Sequence, residues 1–140
     1  MNYCDWTILI DREGKLFQCP HITLTEQWGA ESYWVGYIWE TASGPGIHLH
    51  KFETFDQLKE NRGGKGFNLS LVSFQTFKAF IRKGNSPVQL EDQWGQRYGV
   101  SYRDDDNGVY VGGPNSEEHY IMFRCEDRAK FLAFLDAVYQ

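Results

Sequence analysis

One pair of histidines has the spacing of metal ligands. His48 and His50 in the segment HLHKF would share one face of a β-strand, because side chains alternate across a strand. Imidazole pairs of this kind ligate zinc and other transition metals. Glu53 follows too closely for the usual two-histidine-and-carboxylate arrangement, and the later His119 stands alone. We therefore predict no metal and no cofactor, and a metal site at the pair is the alternative.

Motifs for catalysis are missing from the sequence. It has no nucleophile elbow, no phosphate loop and no HExxH helix, so we predict a non-catalytic protein. Cys4, Cys19 and Cys125 are odd in number and lack CxxC spacing, and we interpret them as buried thiols. The acidic run at 104–106, followed by Asn-Gly, predicts a hairpin turn rather than a cation site.

The elements that would position these residues occur twice. ITLTEQWGAESYWVGY begins at Ile22, and VQLEDQWGQRYGVSY begins at Val88. Gln-Trp-Gly aligns directly, and a Tyr-x-Val-x-Tyr segment aligns after a gap of one residue. Apolar residues alternate on both sides of each Gln-Trp-Gly, which predicts a β-hairpin in each copy.

Each copy continues in the same order. The first has predicted strands at 47–52 and 67–72 and a helix from the N-cap Ser73 to Gly84. The second has predicted strands at 108–113 and 119–124 and a terminal helix. The apolar stripes of the two helices are Phe74, Phe77, Phe80 and Ile81, and Phe131, Phe134, Leu135 and Val138.

This order predicts an α+β fold. Two tandem ββββα units, about 18–84 and 85–140, would form a pseudo-two-fold single-chain dimer within one compact domain, with an extra N-terminal hairpin at 5–17. The chain of 140 residues is 41% hydrophobic, which suits one such domain. No apolar run approaches the roughly 18 residues of a membrane helix, and no leader pattern is found. We predict no membrane association and an intracellular location, in the cytoplasm, nucleoid or nucleus.

The segment from His48 to Lys83 resembles the single-stranded-DNA-binding domain of the transcriptional coactivator positive cofactor four. The segment 49–52 falls on the strand motif of that family, with His50 where the family carries arginine. The segment KGFNLS at 65–70 falls on its lysine-glycine motif, which Asn-Ser-Glu-Glu at 115–118 replaces in the second unit. The ββββα order is also similar to that of Pur-alpha repeats and Whirly proteins.

The resemblance implies that single-stranded DNA or RNA binds to a sheet face. Bases would stack on aromatic rings, and cations beside them would contact phosphates. Because Tyr-x-Val-x-Tyr recurs, we expect those positions to face the core and the alternate positions to be open. The expected stacking residues are Trp34, His48, His50 and Phe52, and the expected phosphate contacts are Lys51, Lys59, Arg62 and Lys65.

Charge and composition leave two other interpretations open. The net charge is −5, but residues 51–83 carry seven Lys or Arg against three Asp or Glu. The chain could instead be a protein-binding module of the inhibitor or immunity type, whose acidic aromatic surface docks on a basic partner. Trp34 and the other aromatic residues could also simply be core. A monomer and a homodimer are equally compatible with the sequence.

Overall fold

A computed structural model describes residues 5–10, 13–26, 29–84, 86–103, 108–113 and 127–140. Over these residues the fold is α+β, with two antiparallel sheets and three helices. The strands are β1 Asp5–Ile10, β2 Leu16–Thr25, β3 Glu31–Thr41, β4 Gly44–Phe52, β5 Lys65–Ser70, β6 Val88–Glu91, β7 Arg97–Arg103 and β8 Gly108–Gly112. The helices are α1 Phe55–Glu60, α2 Leu71–Lys83 and α3 Arg128–Val138.

The strands form a five-stranded sheet, β1-β2-β3-β4-β5, and a three-stranded sheet, β6-β7-β8. The predicted N-terminal hairpin is present, because β1 pairs antiparallel with β2. However, β2 continues without a break to Thr25 and pairs with β3. The N-terminal hairpin and the first predicted unit therefore share a strand.

The two Gln-Trp-Gly turns have the same backbone hydrogen bonds. The N–H of Glu26 donates to the carbonyl of Ala30 at 2.6 Å, and the N–H of Asp92 donates to that of Gln96 at 2.9 Å. The glycine of each turn has a positive φ, 83° in the first and 86° in the second, which favours glycine over any other residue. The prediction of one hairpin in each copy is confirmed.

The backbone pairing of the two hairpins aligns them without a gap. The sequence alignment that matched the tyrosines after a gap of one residue is therefore wrong. Trp34 pairs with Ile22 in the first hairpin as Val100 pairs with Val88 in the second. A slip of one residue moves side chains to the opposite face of a sheet. Val100 accordingly lies in the large core, whereas Val35 lies on the other face of its sheet.

The large core lies between the helices α2 and α3 and one face of the five-stranded sheet, with β6, β7 and β8 beside it. The predicted stripes of both helices are buried here, and Val138 packs at the margin. Trp34, Ile47 and Leu49 meet them from β3 and β4. At Gly36 an added Cβ would crowd Leu49 and Val138, so the absent side chain lets α3 approach the sheet closely.

A smaller cluster occupies part of the opposite face. It contains Leu9, Cys19, Val35, Phe52 and Leu58, which β1, β2, β3, β4 and α1 contribute. Burial raises the pKa of the Cys19 thiol to about 12, which agrees with its interpretation as a buried thiol.

Two helix starts differ from the sequence interpretation. The helix α1 was not predicted, and its N-cap Thr54 accepts a hydrogen bond from the N–H of Gln57 at 3.1 Å. The helix α2 begins at Leu71, because Ser70 rather than Ser73 is the N-cap and accepts from the N–H of Ser73 at 3.1 Å. The predicted strand at 67–72 therefore ends at Ser70.

Some predicted elements lie outside the described residues. They are the turn at 104–107, the strand at 119–124, and the thiols of Cys4 and Cys125. Within the part of the chain that is described, no helix has the length and apolar character needed to cross a membrane.

Candidate functional site

A groove opens where β2 and β3 diverge. The two strands pair only between His21–Val35 and Thr25–Glu31. Beyond that point β2 remains paired with β1, and β3 remains paired with β4. The groove at this fork has a volume of about 1120 Å³, slightly above the range of about 300–1,000 Å³ that is usual for ligand sites.

Aromatic rings make up a large part of the groove lining. Tyr37, His48 and Asn68 form its floor, from β3, β4 and β5. The N-terminal hairpin supplies Phe17, whose ring meets that of Tyr37 edge-on at 5.0 Å between centroids. Further lining residues from the hairpin are Trp6, Glu13, Lys15, Gln18, Cys19 and Pro20.

Both halves of the chain contribute to the rim. A Cβ at Gly46 would collide with the side chain of Gln93, so the second Gln-Trp-Gly turn can rest on β4 only because that position is glycine. This contact brings Trp94 to Trp39, with ring centroids 6.0 Å apart and planes at 67°. Trp39 is 39% exposed and Trp94 is 49% exposed, so both rings are accessible from the groove.

The two histidines belong to a chain of polar contacts along the floor. The indole Nε1 of Trp39 donates to Asn68 Oδ1 at 3.0 Å, and His48 Nδ1 lies 3.3 Å from the same oxygen. His48 Nε2 lies 3.1 Å from His50 Nδ1, and His50 Nε2 lies 2.8 Å from the carbonyl oxygen of Gly63. The two imidazoles therefore contact each other directly.

Burial decides the charge of this pair at neutral pH. Burial, together with a smaller contribution from the neighbouring His50, lowers the pKa of His48 to about 4, although the hydrogen bond to Asn68 acts in the opposite direction. Burial also lowers the pKa of His50, and the bond to Gly63 partly offsets this. Both imidazoles are consequently neutral at pH 7.

Acid should destabilise the protein through His48. The unfolded chain takes up a proton near the ordinary pKa of about 6.5, whereas the folded chain does so only near 4. This contribution to stability is complete above pH 6.5 and is lost as the pH falls to 4, by up to about 3 kcal/mol. Urea unfolding at several pH values measures it. His48→Gln should show a flatter profile, and an equally steep one would contradict this assignment.

Two of the predicted stacking residues are buried. Trp34 is 2% exposed and packs edge-on against Phe131 at 5.4 Å, on the face opposite to the groove. Phe52 shares the face of His48 and His50 but is fully buried in the smaller cluster. The prediction that both rings lie open is therefore wrong. The gapped alignment was off by one residue along β3 and so assigned Trp34 to the wrong face of the sheet, and α1 helps to cover Phe52.

The predicted phosphate contacts do not form one group. Lys51 pairs with Glu26 and projects from the helix-covered face. Lys59 is exposed on α1, and its Nζ lies 3.8 Å from Asp56 Oδ1. Arg62 and Lys65 are exposed on either side of Gly63, whose carbonyl contacts His50. Of the four predicted cations, only Arg62 lies in the loop next to the histidines, because Lys65 begins β5 on the opposite face of the sheet.

Sequence reasoning missed the two tryptophans of the rim. Trp39 lies at the end of β3, where its side chain points to the His48 face because it pairs with Gly46. Trp94 lies in the repeated turn, and the repeat itself was the signal that this turn has a structural partner. Nothing in the sequence shows that the turn docks beside Trp39, since this depends on how the second half packs.

Metal binding has no support from the side chains around the pair. Among the described residues, no three His, Cys, Asp or Glu side chains come together as a metal site.

No model of a known protein family matches the chain, and neither a curated protein nor a solved structure matches it.

Proposed function

We propose that the protein is a non-catalytic binder of single-stranded DNA or RNA and holds unpaired bases in the groove. The observation that carries this proposal is the pair of exposed rings, Trp39 and Trp94, at the rim above the floor of Tyr37 and His48. Flat bases stack on such rings, and the contribution is about 1–3 kcal/mol per base.

The architecture supports the proposal in a second way. The equivalent turns, and a hairpin followed by a further strand and a closing helix in each half, favour a duplicated unit like that of the families that the first half resembles. Trp39 comes from the first unit and Trp94 from the second. A groove made by two units would accept a strand that runs across their junction.

Phosphate contacts would be few. Lys15 lines the groove and Arg62 lies in the loop beside His50, whereas Lys65 begins β5 on the opposite face of the sheet. Two phosphate contacts on a single strand would give a slope of about −1.4 for the logarithm of affinity against the logarithm of salt concentration. Stacking would therefore provide most of the affinity at moderate salt.

A titration of oligo-dT and oligo-U against tryptophan fluorescence tests the proposal. We expect quenching on binding, and release as salt is raised. Arg62→Ala should lower affinity and reduce the salt slope by about 0.7, because one phosphate contact is lost. Lys83→Ala, at the exposed end of α2, is the matched control and should change neither. Failure of every single strand to bind at low salt would exclude the proposal.

That negative result would favour the protein-binding alternative, which has its own observation. Trp6, Ile8 and Leu16 lie on one face of the N-terminal hairpin and are 51%, 62% and 64% exposed. Large apolar side chains grouped in this way are typical of interaction surfaces.

A further inference from the structure

The polar contacts of the two histidines require a definite number of protons. Three contacts involve ring nitrogens: His48 to Asn68, His48 to His50, and His50 to the carbonyl of Gly63. Each contact needs one hydrogen between its two heavy atoms. Asn68 Oδ1 is an acceptor here, because the indole N–H of Trp39 can only donate to it. The carbonyl of Gly63 is also an acceptor.

Two neutral imidazoles cannot meet this requirement. A neutral imidazole carries one N–H, so the pair supplies two hydrogens for three contacts. One extra proton supplies the third, and it gives every contact a donor and an acceptor. A second extra proton would place two N–H groups against each other between the rings. The arrangement in the structure is therefore that of a pair carrying one added proton.

The neutral pair supplies all three contacts only if the Asn68 amide turns over, because otherwise the 3.3 Å contact between His48 Nδ1 and Asn68 Oδ1 has no hydrogen. If the Asn68 amide turns over, its NH₂ donates to His48 Nδ1, His48 Nε2–H donates to His50, and His50 Nε2–H donates to Gly63. The indole N–H of Trp39 then faces an NH₂ group and loses its acceptor. Because Trp39 is 39% exposed, water can replace that acceptor, whereas the ring contacts between the histidines are more enclosed.

We infer that His48 and His50 form a one-proton switch that controls Trp39. With one added proton the pair holds Asn68 Oδ1 toward Trp39 and fixes the indole on the rim of the groove. Without it the amide turns and Trp39 is released. Gly66 makes the pair possible, since a Cβ there would collide with both imidazole rings.

The described side chains with ring or hydrogen-bond contacts to the pair are those of Tyr37, Phe52 and Asn68, which are uncharged. Burial raises the pKa of Tyr37 on β3 and of Cys19 on β2, so both are neutral in acid. On β5 the neighbours are Gly66 and Asn68, which are uncharged. Glu13 and Lys15 line the groove farther out, with opposite charges.

The charged groups on adjoining elements point elsewhere. Lys51 and Lys65 pair with each other in register and project from the opposite face of the sheet, and Arg62 is exposed beside Gly63. Their positive charges disfavour the added proton.

A consequence for nucleic acid rests on the proposed function. Release of Trp39 at neutral pH would leave the indole free to turn onto a base, whereas acid would hold it on Asn68. The switch itself is a property of the free protein and can be tested without any ligand.

Imidazole ¹⁵N and indole NMR of the free protein, from pH 8 down to the limit of folding, tests the switch. We expect both histidines to titrate at one midpoint below 6.5, with uptake of one proton by the pair. The indole N–H of Trp39 should shift at the same midpoint. Two separate midpoints with uptake of two protons, or an indole signal that does not follow the pair, would overturn the inference and leave the oligonucleotide titration unaffected.

Substitution of the indole separates the switch from ordinary histidine titration. Trp39→Phe keeps an aromatic ring but removes the N–H, so the neutral pair no longer conflicts with it. The midpoint should fall by about half a pH unit or more, the equivalent of one modest hydrogen bond. Trp94→Phe, which removes a rim indole that does not contact Asn68, should leave the midpoint unchanged. Equal behaviour of the two variants would refute the switch.

Discussion

Trp34→Ala should destabilise the protein by about 3–5 kcal/mol, because it leaves a large cavity in the core. The side chain is 2% exposed, meets Phe131 edge-on at 5.4 Å, and donates its indole N–H to Ser32 Oγ at 3.2 Å. A loss of this size is a large share of the roughly 5–15 kcal/mol that stabilises a typical domain. Urea or thermal unfolding followed by circular dichroism measures it.

Trp34→Phe separates the stability of this position from ligand binding. The smaller ring fills much of the site, so the loss of stability should be clearly less than for alanine. Oligonucleotide affinity should be unchanged, because Trp34 is buried against Phe131 and does not line the groove. Weak destabilisation by Trp34→Ala, or weaker binding by folded Trp34→Phe, would show that the indole is not a core residue.

The helices were predictable because their apolar stripes have a helical period. Phe74, Phe77, Phe80 and Ile81 are all buried, as the spacing predicts. The first residue of α2 was not predictable, because Ser70 and Ser73 are both capable N-caps and only tertiary packing selects between them. Ser73 instead accepts a hydrogen bond from the N–H of Glu91 at 2.8 Å, which ties α2 to β6.

The missed helix α1 did have a local signal. Thr54 lies three residues before Gln57, the spacing of a capping box, and Thr54 caps the helix. Gln57 differs from the full motif, because its Oε1 accepts from the N–H of Glu53 at 2.9 Å rather than from that of the cap. The helix matters for the site because it supplies Leu58 to the cluster that buries Phe52.

The prediction of which β3 side chains lie on which face of the sheet was wrong, and comparison of the two sequence copies could not reveal the error. Identical residues favoured an alignment with a gap, whereas the turns require one without a gap. The feature that the two hairpins share is the backbone pairing around Gln-Trp-Gly, not the position of the tyrosines that follow. The groove could not be predicted from the sequence either, because it depends on where β2 leaves β3 and on the docking of the second turn at Gly46.

Trp39→Ala and Trp94→Ala should each weaken single-strand binding by about 5- to 150-fold, the effect of losing one base–aromatic stack. Each indole has a large exposed fraction, so neither substitution creates a core cavity. Their ring centroids are only 6.0 Å apart, so both can contact the same or adjacent bases. The double variant should therefore lose less than the product of the single effects, as expected for residues in contact.

Phe55→Ala is the matched control for this experiment. Phe55 is 49% exposed, like Trp94, but it lies on α1, away from the groove, and its ring contacts Tyr33 at 5.8 Å. Its removal should leave oligo-dT and oligo-U affinity within about twofold, since no stacked base is lost. If the control weakens binding as much as the tryptophan variants do, the bases do not enter the groove. If none of the three changes a measured affinity, the strand binds through another surface, and the opposite face of the sheet, where Lys65 lies exposed, is the first place to search.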